Sequence, residues 1–182
     1  MSITHAAITL DIETTGLDKS FGQDEILQLA IIAEDGAVLY NSYFKPARKR
    51  EWQKAQEIHG IKPDWVKERP LFSEELHEIQ HLINSHLLIV AYNAEFDIAF
   101  LKNQGVQFAG KAFFCVMKAY ARLRSRKLPG DKTYRNYSLE NCADYFGYPH
   151  HEFHDALADA QATLFCYHAL IANSQRGGLL HV

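Results

Sequence analysis

Several things are scarce in this 182-residue chain, and each scarcity excludes a class of protein. Only three cysteines occur (Cys115, Cys142 and Cys166), an odd number, widely spaced and in apolar surroundings. They show neither the density of a disulfide scaffold nor the C-x-x-C spacing of a zinc site, so they read as reduced, buried thiols. No apolar run is long enough to span a membrane. The start of the chain lacks a basic segment followed by a hydrophobic signal stretch and leads straight into a strand-like run. These absences point to a cytoplasmic protein with no membrane partner. The net charge of -3 excludes a basic nucleic-acid coat. If a polyanion is bound, local cations must draw it in. Neither a repeat, a low-complexity tract nor a dividing linker is visible. With 47% apolar residues, the expectation is one domain spanning 1–182, its core about 6–174 and its tail 175–182 frayed.

What the chain does have begins with "ITLDIETTGL", Ile8 to Leu17. Side chains alternate along a strand, so Thr9, Asp11 and Glu13 point one way and Ile8, Leu10 and Ile12 the other. Two anions on one face of a partly buried strand repel each other and resist desolvation, so one tends to hold a proton. A divalent cation between them removes both costs. The bland alternative is an exposed edge strand carrying two solvated acids.

The rest of the chain reads as a β-meander followed by alternating helices and strands. "HAAITLDIE", "EILQLAIIAEDG" and "AVLYNSYFKP" are strand-like, and Asp35-Gly36 joins the last two as a hairpin. A polar, irregular stretch runs from Pro46 to Pro70. Ser73 is expected to cap a helix whose apolar face is Leu76, Ile79, Leu82 and Ile83, with Glu74 and Glu75 in its first turn. "LLIVAYN" is a buried strand, Asn93 caps the next helix and Gly105 stops it. "AFFCVM" is a short strand, Ser138 opens another helix, and the last long helix starts near His154 or Asp155 and runs to about Ser174. The expected fold is α/β: one mixed sheet with helices on its faces.

Acids recur where a sheet-based site would use them. Asp97 falls in the first turn after "LLIVAYN", near the C-terminal edge of the sheet. "FHDALADAQ" supplies His154, Asp155 and Asp159, the two acids sharing a helix face. A cluster of this kind suits Mg²⁺ or Mn²⁺, which take carboxylate and water oxygens.

Taken together, Asp-x-Glu first, "NAEFD" in the middle and His-x-x-x-x-Asp near the end resemble the DEDDh, or DnaQ-like, 3'–5' exonuclease superfamily. The resemblance runs from about Ile8 to Leu170 and includes "IHGI", "CVMKAYARL" and "YSLENCADYFG"; the C-x-M-K form is similar to exonuclease X. It implies a ribonuclease H-like fold with a five-stranded sheet. It also implies two Mg²⁺ or Mn²⁺ ions held by Asp11, Glu13, Asp97 and Asp159, with His154 as the general base. The implied product is a nucleoside 5'-monophosphate released from the 3' end of DNA or RNA. Thr14, Thr15, Gly16, Leu17, His59, Asn93 and Phe96 occupy substrate-contacting positions of the family. Leu17 wedges against the terminal base, Phe96 stacks near it, and His59 lies near the terminal sugar and phosphate. The implied partners are single-stranded or frayed 3' ends and a replicative polymerase, although "SQRGGLLHV" holds no clear clamp-binding peptide and reads as the end of a free-standing module.

Each residue also has a plainer reading. A histidine taken from ten is ordinarily a packing or surface residue, Phe96 alone would be core, and Asp155 reads as a first-turn charge favouring the helix dipole. "LDIETTG" resembles the D-x-D-x-T signature of aspartyl-phosphate phosphatases too, but Glu replaces the second Asp and no later strand ends in paired acids. A catalytically silent binding module is the third reading. Two basic stretches, Lys45 to Lys54 and Arg122 to Arg135, default to solvated faces, the second being the better placed to guide a substrate strand.

Overall fold

The computed structural model describes residues 4–20, 23–124, 135–149 and 153–177. Strand β1 (Thr4–Thr14) lies at the centre of a five-stranded sheet, order β3-β2-β1-β4-β5, with β2 (Ile26–Ala33), β3 (Val38–Tyr43), β4 (His86–Ala91) and β5 (Ala112–Cys115). β1–β2 and β2–β3 pair antiparallel, whereas β1–β4 and β4–β5 are parallel. The mixed sheet is as expected, and its order excludes the edge-strand reading of Asp11 and Glu13.

Strand alternation then decides which helix covers which face. Ile8, Leu10, Ile12, Leu29 and Ile31 pack under α3 (Phe72–Ser85) and α4 (Ala94–Asn103). Full burial of each such side chain is worth about 1.5–3 kcal/mol. On the opposite face, Ala7, Ala30, Ile32 and Val90 meet α5 (Val116–Arg124), α6 (Leu139–Phe146) and α7 (Ala156–Gly177). Asp11 and Glu13 therefore point toward α7. Between β2 and β3 the expected hairpin is present: Gly36 has φ 88°, which a residue with a Cβ rarely adopts.

Three expectations need correction. Pro46 to Pro70 is not irregular throughout, because it contains α1 (Gln53–His59) and the short α2 (Pro63–Val66). Trp52, Ile61 and Val66 bury against Leu27 and hold these turns down. Ser73 does not cap α3. The cap is Leu71, whose N–H donates to Glu74 Oε2 at 2.6 Å. Finally, α7 begins at Ala156, since Asp155 Oδ1 accepts from the N–H groups of Leu157 and Ala158 at 3.0 and 3.1 Å. Asp155 is the N-cap, not a first-turn charge. The helix runs to Gly177, and residues 178–182 of the expected tail lie outside the described residues. Ser138 does cap α6, accepting from Asn141 N. No described helix is long and apolar enough to cross a membrane. Cys115, Cys142 and Cys166 are all free thiols, the last two buried.

Candidate active site

Four carboxylates converge from three segments. Asp11 and Glu13 project from the end of β1, Asp97 from the first turn of α4 and Asp159 from the first turn of α7. No lysine or arginine forms an ion pair with any of them among the described residues. Their acidities register the crowding. Burial raises Asp11 well above its ordinary value, and the charges of Asp97, Asp159 and Glu13 raise it further. Burial, then Asp159, Asp155 and Asp97, push Glu13 from 4.5 to about 8. Asp97, 3% exposed, is also raised by burial, against hydrogen bonds from its own N–H and that of Ile12. Asp159 is raised by burial, although the His154 N–H donates to its Oδ1 at 3.2 Å.

Such a set is costly without a counter-charge and favourable around hard divalent cations, which take oxygen ligands. Glu13, His154 and Asp159 each offer a donor atom, all within 4.8 Å of one another. His154 is exposed, has φ 69°, and its Nε2 lies 3.7 Å from Glu140 Oε1.

The left-handed turn at His154 is held from both sides. Asp155 Oδ2 accepts from Gln28 Nε2 at 3.0 Å and from the Tyr43 hydroxyl at 3.2 Å, while Gln28 Oε1 accepts from Ala156 N. Gln28 is opposite Glu13 in β1–β2 and opposite Tyr43 in β2–β3, so one row across three strands anchors the start of α7. Sequence reading missed Gln28 and Tyr43, since no local pattern marks contacts more than a hundred residues apart.

Beside the acids is a largely apolar cavity of about 720 Å³, bordered by Glu13, Thr14, Thr15, Gly16, Leu17 and His59 and also by Phe96. Leu17 is 81% exposed, and Phe96 is half-buried against Phe100. His59 uses both ring nitrogens: Nε2 faces the Thr14 carbonyl at 3.2 Å and Nδ1 accepts from Ile61 N at 3.0 Å. Burial lowers its pKa despite the Thr14 contact, and the nearby His154 lowers it further. His59 therefore fixes the lip of the cavity as a neutral ring. Asn93 begins α4 through its carbonyl, which accepts from Phe96 N at 2.8 Å, while its side chain makes no capping bond.

The lip is clamped by Asp24. Its Oδ1 accepts from the Thr15 hydroxyl and pairs with Lys49, both at 2.9 Å, and its Oδ2 accepts from Asp18 N. A Cβ on Gly16 would lie 2.4 Å from Asp24 Oδ2, so glycine is what permits the carboxylate to approach. Neither Asp24 nor Lys49 was foreseen.

A central mixed sheet thus gathers four carboxylates at the end of β1 beside a largely apolar cavity. The RNase_T exonuclease family model matches residues 8–167, so the chain belongs to that exonuclease family. Its DnaQ-like resemblance is borne out by DNA polymerase III subunit epsilon of Aquifex aeolicus (strain VF5), 27% identical over 164 residues, 86% of this chain and 75% of that protein. PolC-type DNA polymerase III of Thermotoga petrophila is 30% identical over 164 residues, 86% of this chain but 11% of that one. Among solved structures, E. coli exonuclease I in complex with a dA16 oligonucleotide has a TM-score of 0.73 at 20% identity, covering 96% of this chain and 42% of that one. Exonuclease X in complex with 5' overhanging duplex DNA has a TM-score of 0.65 at 26% identity, covering 96% and 94%. The ribonuclease H-like α/β fold and the exonuclease class are thereby established, and the phosphatase reading falls.

Proposed function

We propose that this chain is a metal-dependent 3'–5' exonuclease that releases nucleoside 5'-monophosphates from unpaired 3' ends, DNA preferred. One observation carries the reading: four uncompensated carboxylates face one another beside a cavity fit for a terminal nucleotide. Asp11, Glu13, Asp97 and Asp159 would hold two Mg²⁺ or Mn²⁺ ions. When bound, such ions lower the pKa of water and offset charge on a phosphodiester.

The chain's own groups do the rest. Leu17 and Phe96 offer apolar faces to the terminal base, which every base can use. Thr14, Thr15 and Gly16 form the rigid lip against its sugar, with His59 and Asn93 supporting the lip and the start of α4. His154 takes the attacking water's proton on an imidazole nitrogen, its Nε2 lying 3.7 Å from Glu140 Oε1. DNA is preferred because the two structural neighbours named above carry DNA. The epsilon-type relative raises association with a polymerase, which co-purification with a replicative polymerase would test.

The deciding experiment incubates the protein and Mg²⁺ or Mn²⁺ with labelled single- and double-stranded DNA and RNA, and identifies the products. Mononucleotides appearing from the 3' end, stopped by excess EDTA and by Asp11→Ala, are expected. Full activity under either condition refutes the proposal.

A further inference from the structure

The basic stretch Lys45 to Lys54 has a rigidity that a merely solvated charge run does not need. Glu25, only 4% exposed, has a carboxylate that accepts three successive backbone N–H groups, those of Ala47, Arg48 and Lys49, at 2.8–2.9 Å. Lys45 N donates to the Pro70 carbonyl at 2.9 Å, and buried Trp52 donates its indole N–H to the Ile61 carbonyl at 2.8 Å. The backbone is thus pinned at its start, middle and end while the cationic side chains stay outside: Lys45, Arg48, Arg50 and Lys54 are exposed.

These cations are also placed together. Lys45, Lys49, Arg50 and Lys67 border a cleft of about 180 Å³, whose one acid, Asp64, lies 4.0 Å from Lys67. Lys49 and Trp52 border both the cleft and the large cavity, so the two share a wall, and Lys54 lies on the cavity side. Asp24 occupies Lys49, but no described ion pair engages Lys45, Arg48, Arg50 or Lys54. In a chain of net charge -3 with four acids at its reactive centre, an approaching polyanion needs an attractive surface close by.

We infer that the Glu25-pinned loop, through Lys45, Arg50 and Lys54, is a binding surface for the phosphodiester backbone of the single strand whose 3' end enters the cavity. This rests on the proposed exonuclease function but makes a separate claim, about where phosphates are held. In the Arg122 to Arg135 stretch, Arg124 covers the Tyr145 ring at 4.7 Å, and residues 125–134 lie outside the described residues.

The test measures binding of a 5'-fluorescein-labelled oligothymidylate by anisotropy across a salt series, with mononucleotide release assayed in parallel. Each phosphate contact on a single strand contributes about 0.7 to the slope of log affinity against log salt. The Lys45→Gln, Arg50→Gln double variant should therefore reduce the slope by roughly 1.4 and raise KM for the same strand. A matching duplex with a recessed 3' end is titrated alongside. An unchanged slope in the double variant overturns the inference. So does a change confined to the duplex, which gives the surface to the complementary strand, or a larger loss in Arg122→Gln, Arg124→Gln. Salt-dependent binding through Lys45 and Arg50 without any degradation would refute the exonuclease reading while leaving the surface standing. Degradation with an unaltered slope would do the reverse.

Discussion

The two walls of the site obey opposite electrostatic rules. On the acid wall, Asp11, Glu13, Asp97 and Asp159 face one another and all are raised in pKa. On the lip wall every buried charge is met: Asp24 by Lys49 and Thr15, Glu25 by three N–H groups. Burial works against Asp24 too, yet Lys49 and the hydrogen bonds to Asp18 and Thr15 hold it below its ordinary value. The difference separates tasks. Unmet charge is kept where cations must be drawn in, and met charge where a loop must keep its shape.

The sharpest break in this comparison comes from neutralising one acid. Asp11→Asn, Glu13→Gln, Asp97→Asn and Asp159→Asn should each lower kcat by orders of magnitude, about 10³-fold or more, with non-additive doubles. Each should also leave the metal-free fold as stable or more so, because a repelling charge is gone. Asp24→Asn on the other wall should lower stability instead. Parallel kcat and thermal-melting measurements on the five variants check this; an acid-wall variant that keeps wild-type kcat sinks the shared-site account.

Next in size is base contact at the lip. Stacking contributes about 1–3 kcal/mol per base by alanine substitution, so Phe96→Ala should raise KM for a short single strand roughly ten- to a hundred-fold. Leu17→Ala, at 81% exposure, should alter KM without altering melting. Blunt duplexes should be cut more slowly than frayed or single-stranded ends. Equal rates on both, with unchanged kinetics in the two variants, would remove the lip from substrate choice.

What could be read from sequence was whatever has a short period. Alternation in β1 placed Asp11 and Glu13 together, and the five-residue offset from His154 to Asp159 placed the helical end of the site. What could not be read was held by distant partners. α1 and α2 are stabilised by Trp52, Ile61 and Val66 closing on Leu27, which nothing within Pro46 to Pro70 announces. Asp155 looked like a dipole charge because its partners, Gln28 and Tyr43, are on strands far along the chain. The Asp24–Lys49 clamp escaped for the same reason.

That anchor makes a third, smaller test. Asp155→Asn can keep a capping oxygen on the Leu157 and Ala158 N–H groups or present an oxygen to Gln28, but not both as the carboxylate does. With the left-handed turn at His154 loosened, kcat should fall on the order of tenfold, a loss of about 1.4 kcal/mol, with KM little changed. Amide hydrogen exchange around Ala156 should quicken. Tyr43→Phe, which leaves the Gln28 bond, should do less. Wild-type kcat together with faster exchange would show that the turn does not position the imidazole.

The smallest effect expected is the pH dependence of stability, and its sign follows from the two walls. Glu13 is shifted from 4.5 to about 8, so the folded chain holds this proton more tightly than the unfolded one. Its contribution is fully present below the unfolded value and is lost as pH rises toward about 8. Asp24 works the other way: its lowered pKa contributes above 3.8 and is lost in acid. Between pH 5 and 8 the four raised acids titrate; His59, lowered by burial, works in the opposite sense but is outnumbered by them, so the metal-free protein should melt at lower temperature as pH increases. Divalent cations bind the ionised carboxylates, so Mn²⁺ should raise the melting temperature more at pH 8 than at pH 6 and flatten the trend. Glu13→Gln should flatten it without metal. Thermal melting in EDTA across that window is the measurement, and a melting temperature that rises with pH would mean the acids are compensated by a group other than a cation.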